Sequence, residues 1–456
     1  MTGIHTSGLR VCVTGLGLSG AAAARALLDR DARVLAVDGR DDERVRAVAH
    51  ELMSRGAEVR LGDAETPVDA DLVVTSPGWR PTQPLLVAAQ AQGIEVIGEP
   101  TLAWRLRPWP DQPWLGVTGT NGKTTTVGML ASILAAAGHR TAAAGNVGTP
   151  LVEAALATPR YDVLAVEMSS FQLHWSPDLF FEVGALLNIA EDHVDWHGSF
   201  EDYKSAKLRM QQQSGVLVVN RDDPVLRDAG ISGEVVRFGT RSSEPGDFTV
   251  RDGSLVGPDG TAILPVDDLP VRGPHNVSNA LAAAAIARTF GVAAAAVHAG
   301  LSGYRAGAHR NAVVDDIDGV RYVNDSKATN PHAADASLSA YDTVVWVAGG
   351  LLKGAAVGDL VREHASRLRA VVLIGADRNR FRDALARHAP DVPVVDVDDT
   401  DTGAMTAVVR AASRLAAPGD TVLLAPAAAS MDMFRDYAER GDAFAAAVRR
   451  LAEERA

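Results

Sequence analysis

Residues 118–125 read TGTNGKTT, between the apolar stretch Trp114–Val117 and a helical-looking run from Val127. A strand, a glycine loop and a helix start in that order make a phosphate cradle in an α/β sheet. Gly119 and Gly122 let backbone N–H groups close around phosphate oxygens, and the helix N-terminus adds its positive dipole end. Lys123 would reach the outer phosphates and the Thr124 hydroxyl a magnesium ion. The general pattern asks for a glycine where Val117 stands, so the strict consensus fails. The Gly-Lys-Thr core, its flanking elements and Gly119 remain; the plain alternative is a glycine turn with an exposed lysine.

At 456 residues the chain holds two to four domains, and with 47% hydrophobic and 22% charged residues it can bury several cores. A net charge of -13 argues against a nucleic-acid partner held by phosphate attraction, while leaving room for a local basic groove around an anionic metabolite. Cys12 is the only cysteine and lies in an apolar run, so no intrachain disulfide forms and a reducing compartment fits. The start MTGIHTSGLR has no apolar signal core, and the alanine-rich runs break well short of the roughly 18 residues a membrane span needs. A cytoplasmic protein with no membrane partner is expected.

The pattern along the chain is α/β throughout, in three segments. From Leu9 come an apolar strand, GLGLSG, an alanine-rich helix and a strand at 33–38, then strands at 72–75 and 95–97. The proline-rich stretch 108–113 closes a first domain, 1–110. A central domain, 111–305, carries the cradle, strands at 163–167, 183–188 and 216–220, a turn-rich stretch 237–265 suited to short antiparallel strands, and a helix at 278–290. A third domain, 306–456, opens near Gly307 and alternates strands at 313, 320–324, 343–348, 370–374 and 421–425 with helices.

Gly15, Gly17 and Gly20 match the dinucleotide fingerprint G-x-G-x-x-G, and Asp38 ends the next strand as a ribose acceptor would. The pattern licenses a diphosphate rather than a nicotinamide, since a diphosphate sugar uses the same cradle. A tight turn without ligand is the bland reading. The loop Thr75-Ser76-Pro77-Gly78 follows another strand of that domain, at the strand ends where it would complete the site. Glu167 ends the 163–167 strand just before Ser169, and Asn188 to His193 follow the next one, beside the cradle. Glu167 with Thr124 suits magnesium; His193 is a less usual ligand, and its structural and functional readings stand level. Lys207 sits in a helical pattern where a lysine is ordinarily solvated. His275, Asn276 and Asn279 open a helix, where capping is more economical than holding an adenine. In the third segment, loops with Asp325, Lys327 and Thr329, with Lys353, and with Ser430 each follow a strand and suit an anionic co-substrate.

TGTNGKTT, EMSSFQL, NIAEDHVDWH, SAKLRM, GPHNVSNA, NDSKATNP and AGGLLKG, in order, make the chain resemble the ATP-dependent Mur ligases of peptidoglycan synthesis. The likeness spans nearly the whole chain, and NDSKATNP with SAKLRM point to the member that joins D-glutamate to UDP-N-acetylmuramoyl-L-alanine. It implies a Rossmann-like N-terminal domain for the UDP moiety, a P-loop-type central ATPase domain and a Rossmann-like C-terminal domain for the amino acid. It also implies ATP, two magnesium ions, and a monomer.

By motif position, Gly119, Thr120, Asn121, Gly122, Lys123, Thr124 and Thr125 would hold ATP, together with His275, Asn276, Asn279, Arg310 and Asp325. Gly17, Leu18, Ser19, Gly20, Asp38, Arg40, Ser76, Pro77, Gly78, Asn146 and Ser169 would hold the UDP substrate. Lys327, Thr329, Lys353, Ser430 and Tyr437 would face D-glutamate. Lys207 resembles a carbamylated lysine that ligates a second magnesium with His193, against the solvated reading; Thr124 and Glu167 would take the first ion. Lys123, Asn146, His193 and Lys207 form the implied catalytic set. Leu351, Leu352 and Ala427 to Ala429 offer no side-chain hydrogen bonds, so recognition there falls to backbone groups or Ser430. The rival readings are a sibling amide ligase, an NAD-dependent oxidoreductase fused to an ATPase, and a nucleotide-gated binding module without turnover.

Overall fold

Short apolar runs bounded by glycine or proline, buried along nearly their whole length, are what a parallel sheet covered on both faces requires. The computed structural model describes residues 4–242, 244–271, 273–397 and 403–455 and builds three such sheets. They fall into two compact units, Met1–Asp268 with Ser278–Tyr304, and Leu269–Val277 with Arg305–Ala456.

In the first unit, β1 (Arg10–Thr14), β2 (Arg33–Asp38), β3 (Glu58–Leu61), β4 (Leu72–Thr75) and β5 (Glu95–Gly98) form a parallel sheet in the order 3-2-1-4-5. The order reverses at β1, so the loops after β1 and β4 leave the sheet side by side. Thr14 and Thr75 are in register there, their hydroxyls 2.8 Å apart. The strand β3, EVRL, was not expected from the sequence; it is an edge strand, only partly buried, with little apolar signal.

The same unit holds β6 (Trp114–Thr118), β7 (Thr141–Gly145), β8 (Val163–Glu167), β9 (Phe181–Leu186), β10 (Ser214–Asn220), β11 (Val235–Gly239), β12 (Phe248–Arg251), β13 (Ser254–Val256) and β14 (Ala262–Pro265), in the order 14-13-12-11-10-9-6-8-7. The antiparallel expectation for 237–265 holds for β12 to β14, but β11 and β12 extend the parallel part. The strand β9 ends at Leu186, two residues earlier than expected, which leaves Asn188 in the loop beyond it. The helix expected over 278–290 runs Pro274–Thr289, with proline in the first turn where its fixed φ and missing N–H cost nothing. His275, Asn276 and Asn279 therefore lie inside that helix, and the capping reading fails.

In the second unit, β15 (Ala312–Ile317), β16 (Val320–Asn324), β17 (Val344–Gly349), β18 (Leu368–Ile374), β19 (Val394–Asp396) and β20 (Thr421–Leu424) run in the order 15-16-20-17-18-19, parallel except for β15. The ends of β16, β20 and β17 are thus neighbours, which gathers the three loops that carry Lys327, Ser430 and Lys353. No helix among the described residues is long and apolar enough to cross a membrane.

A buried carboxyl ties the first two sheets' helices together. Glu99 opens the helix Glu99–Leu106, and its Oε1 accepts from the Val152 N–H at 2.6 Å, in the helix Leu151–Leu156. Its Oε2 is buried without a partner, and burial pushes the carboxyl up from 4.5 to about 7. A folded state that holds this proton more tightly than the unfolded chain gains stability in full below pH 4.5 and loses it as pH rises through about 7. Glu99→Gln keeps the acceptor and removes the titration. Urea denaturation should show the variant more stable than wild type above pH 7, by on the order of 3 kcal/mol, and the gap closing by about pH 4.5.

Candidate active site

The cradle takes its shape from one left-handed residue. Gly122 has φ 82° and immediately precedes the helix Lys123–Ala136; a Cβ there would stand 2.3 Å from Asn279 Oδ1. Any other residue would be both strained and blocked. The loop is held from the neighbouring strand end: Thr120 N–H donates to Asn188 O at 2.9 Å, Asn121 N–H donates to Asn188 Oδ1 at 2.8 Å, and Asn188 Nδ2 donates back to Asn121 O at 3.1 Å. Thr126 donates to Asn279 Oδ1 at 3.4 Å, which fastens the first helical turn. Lys123 Nζ folds onto its own loop, 2.9 Å from Gly119 O and 2.8 Å from Thr120 O. Thr124 and Thr125 are half-buried in the first turn.

Lys207 is not solvated. The helix Phe200–Gln212 buries Tyr203, Ala206, Lys207 and Met210, one stripe at helical spacing, and Lys207 is 1% exposed. Its Nζ donates to Gly119 O at 2.7 Å and lies 4.8 Å from the Tyr203 ring centre. Burial, reinforced by the charge of Lys123, pushes the amine well below the ordinary lysine range, against the pull of Asp192 and Glu167. The Tyr203 hydroxyl in turn meets Thr120 Oγ1 at 2.8 Å.

Glu167 ends β8 in register with Val117 of β6, beside the cradle. Asn146 donates to its Oε1 at 2.7 Å, and its Oε2 is buried without a hydrogen-bond partner. An oxygen donor left unsatisfied at a phosphate cradle fits magnesium. Among the described residues no three His, Cys, Asp or Glu side chains cluster as a metal site. His193 has φ 52° at the start of the helix Val194–His197, its Nε2 3.5 Å from Asp192 Oδ2 and its ring edge-on to Phe171 with centres 4.7 Å apart.

The loop after β1 is equally tight. Gly15 has φ 83°, and a Cβ on Gly20 would come within 1.8 Å of Gly15 O. Ser76 donates to Gly15 O at 2.7 Å, which locks the loops after β1 and β4 together, with Pro77 and Gly78 following. Gly17 and Leu18 are exposed at the start of the helix Leu18–Leu28, with Ser19 half-buried. Asp38 accepts from Leu16 N–H at 2.7 Å and from the Arg40 guanidinium at 3.0 and 3.1 Å. Burial opposes its ionisation, yet these bonds hold the carboxyl below the ordinary range. Ser169 accepts from Gln172 N–H in a capping box at the helix Ser170–His174, so its hydroxyl already has local work.

The second unit carries the remaining candidates. Asp325 accepts from Asn311 N–H at 3.1 Å and from the Ser337 hydroxyl, and burial pushes its carboxyl up to about 6, with the Arg310 charge opposing. Burial pushes the His275 imidazole down to about 4, and its Nδ1 has no partner. Asn276 is buried beside it. Lys327 Nζ lies 4.0 Å from the Tyr437 ring centre, and Thr329 is half-buried two residues on. Lys353 is exposed at φ 51°. Leu351 and Ala429 exchange backbone hydrogen bonds at 2.9 Å, and Ala427 N–H donates to Ala328 O at 2.9 Å. Those backbone groups hold the loops to each other. Ser430 is buried, and its carbonyl accepts from Met433 and Phe434.

Two groups escaped the sequence reading: Tyr203, whose position four residues before Lys207 on one helix face was the available signal, and Arg440, three residues after Tyr437. The buried amine sets stability against chemistry. Lys207→Met removes a desolvated ionisable group at nearly constant volume, so chemical denaturation should show a gain of about 1 kcal/mol or more while ATP turnover is lost.

Three family domains match this chain: the MurD-like N-terminal domain of Mur ligases over residues 9–98, the Mur ligase middle domain over 117–287, and the Mur ligase glutamate ligase domain over 309–428. It is 56% identical to the UDP-N-acetylmuramoylalanine--D-glutamate ligase of Thermobifida fusca, covering 98% of this chain and 99% of that one. It is 54% identical to the enzyme of the same name from Streptomyces avermitilis, covering 97% and 98%. Among solved structures, a pseudomurein peptide ligase type C from Methanothermus fervidus superposes with a TM-score of 0.63 at 19% identity, over 97% of this chain and 100% of that one. UDP-N-acetylmuramate-alanine ligase from Thermotoga maritima gives 0.63 at 18%, over 98% and 100%; both likenesses speak to the fold. With matching domains along most of its length and relatives above half identity, the chain belongs to the Mur ligase family.

Proposed function

We propose that this protein is an ATP-dependent ligase that joins D-glutamate to UDP-N-acetylmuramoyl-L-alanine in peptidoglycan precursor synthesis. The observation that carries it is the pinned cradle 119–125 with the buried Lys207 amine set against it; the relatives' names supply the acceptor and the amino acid. In this reading the enzyme works as a cytoplasmic monomer, and its domains meet near residues 110 and 305.

A carboxylate repels an amine and has no competent leaving group. One oxygen of the L-alanine carboxylate attacks the γ-phosphorus of ATP, the bond to the ADP oxygen breaks, and an acyl phosphate forms. The D-glutamate amine then attacks the acyl carbon, and the tetrahedral intermediate loses a proton and expels phosphate. The cradle positions the triphosphate, and Lys123 exchanges its own-loop carbonyls for phosphate oxygens. Thr124 and Glu167 would hold one magnesium, His193 and a carbamylated Lys207 the other; bound there, the ions neutralise phosphate charge. Carbon dioxide would add to the unprotonated Lys207 amine, forming an N–C bond and losing a proton, and so put a carbamate, one negative charge shared over two oxygens, where an ammonium would otherwise stand. Asn146, bonded to Glu167, lies at the transferred phosphate. His275, Asn276, Asn279, Arg310 and Asp325 serve the nucleotide.

The loops around Gly17 to Gly20 and Ser76 to Gly78, with Asp38, Arg40 and Ser169, would hold the uridine diphosphate, and no nicotinamide is needed. Asp38 already accepts two kinds of donor, which suits a ribose hydroxyl as a third. Lys327, Thr329, Lys353, Ser430 and Tyr437 would receive D-glutamate.

Mass spectrometry should detect a ligated product when UDP-N-acetylmuramoyl-L-alanine, D-glutamate, ATP and magnesium are combined, and none when L-glutamate replaces the D form. Product from L-glutamate alone, or none from either, refutes the assignment. Lys207→Ala should be inactive, with partial return of turnover on adding short carboxylates that supply the missing oxygens. Full activity without them counts against a carbamate.

A further inference from the structure

Arg440 is 1% exposed, among the largest fully buried side chains of the protein. A buried guanidinium ordinarily sits against a carboxylate, because desolvating an unpaired cation is expensive. Among the described residues none lies within ion-pair distance of this one. Its Nε donates to Ser326 Oγ at 2.9 Å, its Nη2 to Ser326 O at 2.8 Å and its Nη1 to Ala428 O at 3.1 Å, all neutral acceptors. The acid that acts on it through space is Asp432, whose Oδ2 accepts from Ala376 N–H at 2.8 Å. Burial pushes the guanidinium down to about 9, so it remains a cation at neutral pH.

The acceptors lie in two loops that belong to different strands. Ser326 follows β16, directly before Lys327, and Ala428 follows β20, two residues before Ser430. Ser326 Oγ donates onward to Tyr437 O at 2.7 Å, at the start of the helix Tyr437–Arg455. Lys327 Nζ sits over the Tyr437 ring, so one buried side chain fixes the mutual placement of Lys327, Ser430 and Tyr437.

We propose that Arg440 is a positioning residue for the incoming amino acid, bracing two strand-end loops and leaving a positive charge without an ion-pair contact behind the pocket that receives a dicarboxylate. The inference rests on the D-glutamate reading above. A planar guanidinium suits the task because its fork reaches both loops at once, whereas an ammonium is a single point on a flexible stem.

Steady-state kinetics on full-length Arg440→Met and Arg440→Lys test it. The Met variant should raise KM for D-glutamate roughly tenfold or more, with KM for ATP and for the UDP acceptor within about twofold of wild type. The Lys variant, which keeps the charge and loses the fork, should fall between. An unchanged KM for D-glutamate, or a rise in all three KM values together, overturns the proposal in favour of a purely structural role. Should the Met variant fail to fold, the same comparison on the Lys variant and on Ser326→Ala decides, both being expected to raise KM for D-glutamate selectively. Wild-type enzyme that makes no product with D-glutamate defeats the functional reading and this inference with it; wild-type turnover with an unchanged variant KM defeats the inference alone.

Discussion

One carbonyl oxygen, that of Gly119, accepts hydrogen bonds from two lysines, Lys123 at 2.9 Å and Lys207 at 2.7 Å. Two ammonium groups sharing one neutral acceptor would repel strongly in a site where little water screens them. Burial pushes the Lys207 amine well below the ordinary lysine range, which eases that repulsion. Lys123, half-buried in the same loop, folds its Nζ onto Gly119 O and Thr120 O. The carbonyl must also stay in place, and Asn188 and Tyr203 see to that through Thr120 and Asn121. In the reading proposed above, phosphate binding asks only that Lys123 turn outward, a side-chain rotation in a loop already shaped.

The same topological device recurs in all three sheets. Where a parallel sheet reverses its strand order, the loops on either side diverge and leave a crevice at the carboxyl ends of the strands. The reversal at β1 joins Gly15 to Ser76; the position of β6 between β8 and β9 sets the cradle between Glu167 and Asn188; the position of β20 between β16 and β17 gathers the loops of Lys327, Ser430 and Lys353. None of these groups is close in sequence. Their meeting follows from parallel pairing, which places every strand's exit on one edge.

Strands with continuous β-branched or leucine runs were legible from the sequence, as at 10–14, 163–167 and 368–374, because a fully buried strand must be apolar on both faces. Three strands were not. Thr141–Gly145 reads TAAAG, a composition that favours helix; β3 alternates weakly at an edge; and β19 has three residues. Glycine loops at strand ends were legible because the strand before and the helix after constrain them. Helical patterning alone left Lys207 solvated and only the family resemblance set it apart, although its spacing from Tyr203, Ala206 and Met210 matches one helical face, because long lysine stems on such faces usually carry the amine out to water. What prevents that here is Gly119, 88 residues away, and pattern reading has no access to such a pairing. The bridge between Leu351 and Ala429 was not legible for a related reason: a pairing of two loops cannot be inferred from either alone.

Burial has opposite consequences for Glu99, Lys207 and Arg440, three charge-bearing side chains each 1% exposed, and the difference follows from their chemistry. Glu99 faces a helix N-terminus with one oxygen unpartnered, and it meets the cost of desolvation by holding its proton. Lys207 meets it by binding its proton less tightly, the amine held well below the ordinary lysine range beside the cradle. A guanidinium has neither option near neutral pH, since its delocalised charge survives even substantial desolvation. Arg440 is therefore the one of the three that must carry its charge inside, stabilised by three neutral oxygens drawn from two loops. A packed core would be served as well by methionine or leucine at that position. The charge has a physical use only if something anionic approaches from the other side of those loops, and a dicarboxylic amino acid answers that description.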